Sequence, residues 1–105
     1  DDVVDWQFVE DVARVITTAL SAPTTDTRSF TVKGDYRSVK EGIAAVRKLV
    51  PGADLSAEDG VFGIQWDYDD STLREELGFV PTYDMEAGIE RTLARFRELR
   101  PMLRP

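Results

Sequence analysis

The chain has 105 residues, with 20 acidic and 13 basic side chains and a formal net charge of −7. That balance counts against nucleic acid or an anionic membrane surface as a partner, because both need clustered Lys and Arg. The lack of any Cys or His excludes disulfides, thiolate nucleophiles, His-based triads and nearly every structural zinc site.

The chain opens Asp1-Asp2-Val3-Val4, without an initiator Met and close to the approach to a helix, as a piece of something longer would. Phe8, Val9, Val12, Ala13, Val15, Ile16, Ala19 and Leu20 then recur with the spacing of a buried helical face. Glu10 and Asp11 suit the positive end of that helix, and Pro23 cannot continue it. After a polar loop, Ser29-Phe30-Thr31-Val32-Lys33 alternates in character and is rich in β-branched and aromatic residues, which predicts a strand stopped by Gly34. Ser38 stands three residues before Glu41, the spacing of a capping box. The helix it opens should turn Val39, Ile43, Ala44, Val46, Leu49 and Val50 inward and close at Pro51-Gly52.

Ala53 to Leu55 is a candidate for a short second strand. Asp69 or Asp70 can cap a short helix through Leu73 and Leu77, with Gly78 placed for the left-handed turn after it. Asp84 caps a last helix with Met85, Ile89, Thr92, Leu93 and Phe96 on one side, ending near Arg100-Pro101. Gly88 within it costs roughly 1 kcal/mol relative to Ala, so a close neighbour is expected there. The result is one domain over residues 1–105, mostly helical. Its main strand, Phe30–Lys33, has no adequate mate, and unpaired backbone groups need one. Either a sheet outside the chain or a second copy should supply it, so the domain reads as incomplete.

Several of these segments resemble one family. Phe8-Val9-Glu10-Asp11-Val12-Ala13 is similar to the aromatic-Val-x-Asp-Val-Ala segment late in extended short-chain dehydrogenase/reductases, the NAD-dependent epimerase/dehydratase type. Phe30-Thr31-Val32-Lys33-Gly34 resembles their following F-N-V-G-G strand, and Ser38-Val39-Lys40-Glu41 the start of the next helix. The run from Asp69 through Ser71, Arg74, Leu77-Gly78-Phe79 and Pro81 resembles the signature D-x-S-x-x-R-x-x-L-G-[WF]-x-P. Met85-Glu86-Ala87-Gly88-Ile89-Glu90-Arg91-Thr92 resembles L-E-E-G-L-x-x-T. The resemblance covers nearly the whole chain in order. It implies the α/β, C-terminal substrate-side segment of an extended Rossmann-type enzyme, whose partner is the absent N-terminal nucleotide-binding portion.

The chain itself carries no cofactor cradle. NAD or NADP is implied only for the parent protein, whose Gly-x-x-Gly-x-x-Gly turn has no counterpart here, since Gly60-Val61-Phe62-Gly63 holds a single interval. Tyr36 and Lys40 have the spacing of the family's catalytic pair, but Tyr36 precedes the capping Ser38 and so lies off the helix that holds Lys40. No residue is therefore assigned to catalysis. Where nucleotide-sugar members place a phosphate-binding Arg, this chain has Val4, and its loop from Gly60 to Trp66 has no cation either. That favours a smaller or less charged substrate, a sugar acid or simple carbonyl compound. Trp6, Phe8, Phe62 and Trp66, with Gln7 among them, read either as pocket walls or as closure of the core. The resemblance singles out Trp6, Gln7 and Trp66 as substrate contacts.

Asp67, Asp69 and Asp70 fail the spacing of a calcium loop and read as helix caps. The arginines of the last helix, Arg91, Arg95, Arg97 and Arg100, with Arg104 beyond, read as a solvated face. No apolar run approaches the ~18 residues of a membrane span, and no signal pattern opens the chain, so the cytoplasm is the expected compartment. Two alternatives stand beside the enzyme reading. One is a small interaction or oligomerisation module that uses the unpaired strand. The other is an acidic enzyme built on Glu58, Asp59, Asp67 and Asp69.

Overall fold

A computed structural model describes residues 2–23, 29–58 and 67–103. The described elements run β1 (Val3–Trp6), α1 (Val9–Ser21), β2 (Asp35–Ser38), α2 (Val39–Leu49), α3 (Ser71–Leu77) and α4 (Met85–Leu103). The fold is thus mixed α/β and mostly helical. Among the described residues four helices accompany a two-stranded antiparallel sheet in which Val3 faces Ser38 and Trp6 faces Asp35.

The ladder corrects the expected strands. Phe30–Lys33 is not in a sheet, and the pairing falls instead on Val3–Trp6 and Asp35–Ser38. Two side chains of the β1 region reach the end of that segment. Asp5 accepts from the Gly34 N–H at 2.9 Å, and the Gln7 amide nitrogen donates to the Val32 carbonyl at 3.1 Å. Within Phe30–Lys33 these contacts take up the Val32 carbonyl alone, since Gly34 lies just past it. A cleft of about 360 Å³ is lined by Val3, Val4 and Asp5 together with Thr31 and Val32. The alternation of the segment survives nonetheless: Ser29 and Thr31 are exposed, while Phe30 and Val32 are half-buried against the core. Ala53 to Leu55 is not a strand either. The Leu55 N–H turns back to the Ala53 carbonyl at 3.1 Å, and the Leu55 carbonyl accepts from Arg47.

The caps follow the sequence more closely. Ser38 Oγ accepts from the Glu41 N–H at 3.1 Å. Asp69 accepts from Ser71 at the start of α3, and Asp84 from Ala87 at the start of α4. Gly78 ends α3 with φ of 65°, a left-handed conformation that costs Gly little. Helix α4 passes the expected stop, with Pro101 inside its last turn. The Pro101 ring removes the N–H that would bond the Arg97 carbonyl and crowds that carbonyl.

Among the described residues one small apolar cluster and a separate methionine make the interior. Val15, Leu73 and Phe79 are buried, with Phe30, Val32 and Leu77 packed on them. Met85 is buried separately, with its sulfur near Gly42. Helix α1 departs from expectation, because only Val15 among its apolar residues is buried. Val9, Ile16 and Leu20 remain 71%, 59% and 82% exposed. At spacings of seven and four, with Ala13 between them, they form a second apolar stripe that nothing described covers. Phe96 of α4 is also exposed rather than turned inward.

The accessible surface is 7926 Å², against about 5,900 Å² for a compact monomer of this size. The radius of gyration is 16.6 Å, where close packing would give about 13 Å. No described helix is long and apolar enough to cross a membrane.

Candidate functional site

A cavity of about 350 Å³ opens beside Trp6. Trp6, at the end of β1, and Phe8, just before α1, line it together with Val46 of α2 and Met85, Ile89 and Leu93 of α4. Gln7, Asp84 and Thr92 add polar groups. An apolar lining with a few polar groups is the usual make-up of a small-molecule site.

Each wall is held from elsewhere. The Trp6 indole N–H donates to the Arg37 carbonyl at 3.0 Å, which ties the ring to β2. Its far edge lies on α2, where Gly42 has no side chain to obstruct it. Gly34 is required by the same strand: a Cβ there would stand 2.0 Å from the Trp6 carbonyl oxygen. The Gln7 amide nitrogen donates to Asp5 at 2.6 Å and to the Val32 carbonyl, so its orientation is set. Phe8 meets the Tyr83 ring with centroids 4.5 Å apart. The Tyr83 hydroxyl donates to Glu10 at 2.9 Å, and this bond, foremost among its causes, raises the phenol above its ordinary pKa.

Helix α4 is positioned by carboxylates from two distant segments. Asp35 of β2 accepts from the Met85 N–H at 2.9 Å. Asp11, buried in α1, accepts from the N–H groups of Thr82 and Tyr83 at 3.1 and 3.0 Å and from the Thr82 hydroxyl at 2.9 Å. Burial alone would push the Asp11 carboxyl up; the Thr82 and Tyr83 donors, joined by Arg14, outweigh it and hold it below the usual range. Arg14 also donates to the Val80 carbonyl at 2.6 Å and lies 4.3 Å from the centre of the Phe79 ring. This knot clamps the chain between α3 and α4. Sequence reasoning missed it by reading Asp11 only as a helix-dipole charge, although an Asp inside an apolar run is itself a sign of a buried acceptor.

Of the expected substrate contacts, Trp6 and Gln7 meet in the cavity. Trp66 lies outside the described residues, as do Phe62, Asp59 and the glycines at 60 and 63. Tyr36 sits in β2 and Lys40 in α2, so the two do not share one helix face. Asp67 pairs with Lys33 at 2.5 Å, Asp69 caps α3 and Asp70 pairs with Arg74 at 3.1 Å. Among the described residues no cluster of three or more carboxylates could hold a metal ion. Beside the cavity, Arg37 forms ion pairs with Asp35, Glu41 and Glu86. No family model, no curated protein and no solved structure matches the chain.

Proposed function

We propose that this chain is the substrate-binding segment of an NAD(P)-dependent epimerase/dehydratase-type or dehydrogenase enzyme of the cytoplasm. Its substrate would be a sugar, a sugar acid or a related carbonyl compound. The isolated chain is then inactive, because the cofactor cradle and the proton donor belong to a nucleotide-binding portion that it lacks. The observation that carries this reading is the cavity. It gathers Trp6 and Gln7 from beside the aromatic-Val-x-Asp segment with Met85, Gly88, Ile89 and Thr92 from the last-helix segment, two of the stretches on which the family resemblance rests. Further support comes from Phe30–Lys33, which keeps a strand's alternation without a described ladder, as a strand waiting on an outside sheet would.

The test is the sequence encoded upstream of Asp1. A glycine-rich turn, followed about a hundred or more residues later by a helical Tyr-x-x-x-Lys, supports the reading; an upstream region with neither overturns it. In calorimetry the 105-residue chain should take up neither NAD(H) nor NADP(H), and tight binding of either would contradict the assignment.

A second reading, an interaction or oligomerisation module, is favoured by the open stripe of Val9, Ile16 and Leu20 on α1. If it holds, the chain elutes as a dimer or larger species in size exclusion, and Ile16→Glu converts it to a monomer. A monomer that the substitution leaves unchanged removes this reading.

A further inference from the structure

We propose that the cavity beside Trp6 binds an uncharged molecule the size of one six-membered ring, bearing hydroxyl groups, and that it discriminates against carboxylates and phosphates. This deepens the substrate-segment reading by narrowing its substrate class, while the binding itself stands on the cavity's own chemistry.

Size is the first argument. About 350 Å³ lies at the small end for ligand pockets, enough for a substituted ring but not for a nucleotide diphosphate as well.

Charge is the second. Among the described residues no Lys or Arg lines the cavity, and Asp84 is the one ionisable lining group. Arg37, whose carbonyl oxygen holds the Trp6 indole, already spends its guanidinium on Asp35, Glu41 and Glu86. A ligand carboxylate would therefore lose water, gain no cation and face a like charge. A hydroxyl instead finds acceptors. Among the described residues, the bonds of the Gln7 side chain all run through its nitrogen, so its amide oxygen is the group it offers. Asp84 uses one oxygen on the Ala87 N–H and presents carboxylate acceptor capacity besides. The apolar side of a ring would lie among Trp6, Phe8, Ile89 and Leu93, where removing carbon surface from water is favourable.

Two probes with the same ring separate the alternatives: cyclohexanol and cyclohexanecarboxylate, titrated into the isotope-labelled chain and followed by two-dimensional NMR. Cyclohexanol should shift the Trp6 indole N–H, the Gln7 side-chain amide and the Ile89 and Leu93 methyls saturably. The carboxylate should bind at least about tenfold more weakly, and Asp84→Asn should narrow that gap. Val46→Phe, which fills the cavity, should abolish the cyclohexanol shifts; Leu93→Phe serves the same purpose should Val46→Phe fail to fold. Equal or tighter binding of the carboxylate overturns the proposal, and so do shifts confined to other residues or no saturable shift with either probe. An upstream region without a cofactor cradle would remove the enzyme reading and leave this selectivity intact, so the two failures are distinguishable.

Discussion

The ring of Trp6 lies so close to the backbone of Gly42 that a Cβ on that residue would stand 2.7 Å from two of its carbons. The ring cannot easily retreat, because its N–H is bonded to the Arg37 carbonyl. Gly42→Ala should therefore destabilise the chain by about 1–3 kcal/mol, the usual cost of overpacking, although Ala is the better helix former. Urea unfolding checks this, and a stability equal to or above the parent's would mean that the indole is not held where it lies.

The same substitution at Gly88 should have the opposite sign. A Cβ there would meet Phe8 at 3.5 Å, ordinary contact with no clash. Gly88→Ala should raise stability by about 0.5–1 kcal/mol through helix propensity and a less flexible unfolded chain, and thermal unfolding reads it directly.

Asp11 should be the most costly polar residue to remove. Asp11→Ala strands the Thr82 and Tyr83 N–H groups and is expected to cost about 2–4 kcal/mol. Because the folded state holds this carboxyl below its unfolded value, its contribution is complete above the unfolded pKa of about 4. It is lost as pH falls through the lower, folded one. Denaturation followed from pH 7 to pH 2 should show a fall in stability at the acid end that is shallower in Asp11→Asn. Parallel curves for the two proteins would refute the role given to Asp11.

Legibility from sequence followed the range of the interaction. Ser38, Asp69, Gly78 and Asp84 act within a few residues of themselves, and their roles could be read from spacing alone. Helices α1 to α4 were all visible in the apolar periodicity. The sheet was not, because Val3–Trp6 is only four residues long and its mate is 29 or more residues away. The bonds from Asp5 and Gln7 to Gly34 and Val32 span 25 residues or more, and no local pattern announces them. For the same reason Trp6 and Gln7 could be nominated as pocket residues, whereas Val46 and Leu93, which complete the cavity, looked like ordinary helix interior. Which of two apolar stripes on α1 is buried depends on what packs against it, and periodicity cannot choose.

The claim that this chain is one part of a larger sheet depends on Phe30–Lys33 being a strand whose mate lies outside it, and amide hydrogen exchange on the isolated protein addresses that most directly. The account predicts that the amides of Phe30, Thr31, Val32 and Lys33 exchange within about tenfold of an unstructured chain, while interior amides of α2 exchange roughly a hundredfold more slowly or more. Protection of the four amides equal to that of α2, in a chain that elutes as a monomer, would contradict it, because the segment would then have found its partner within these 105 residues.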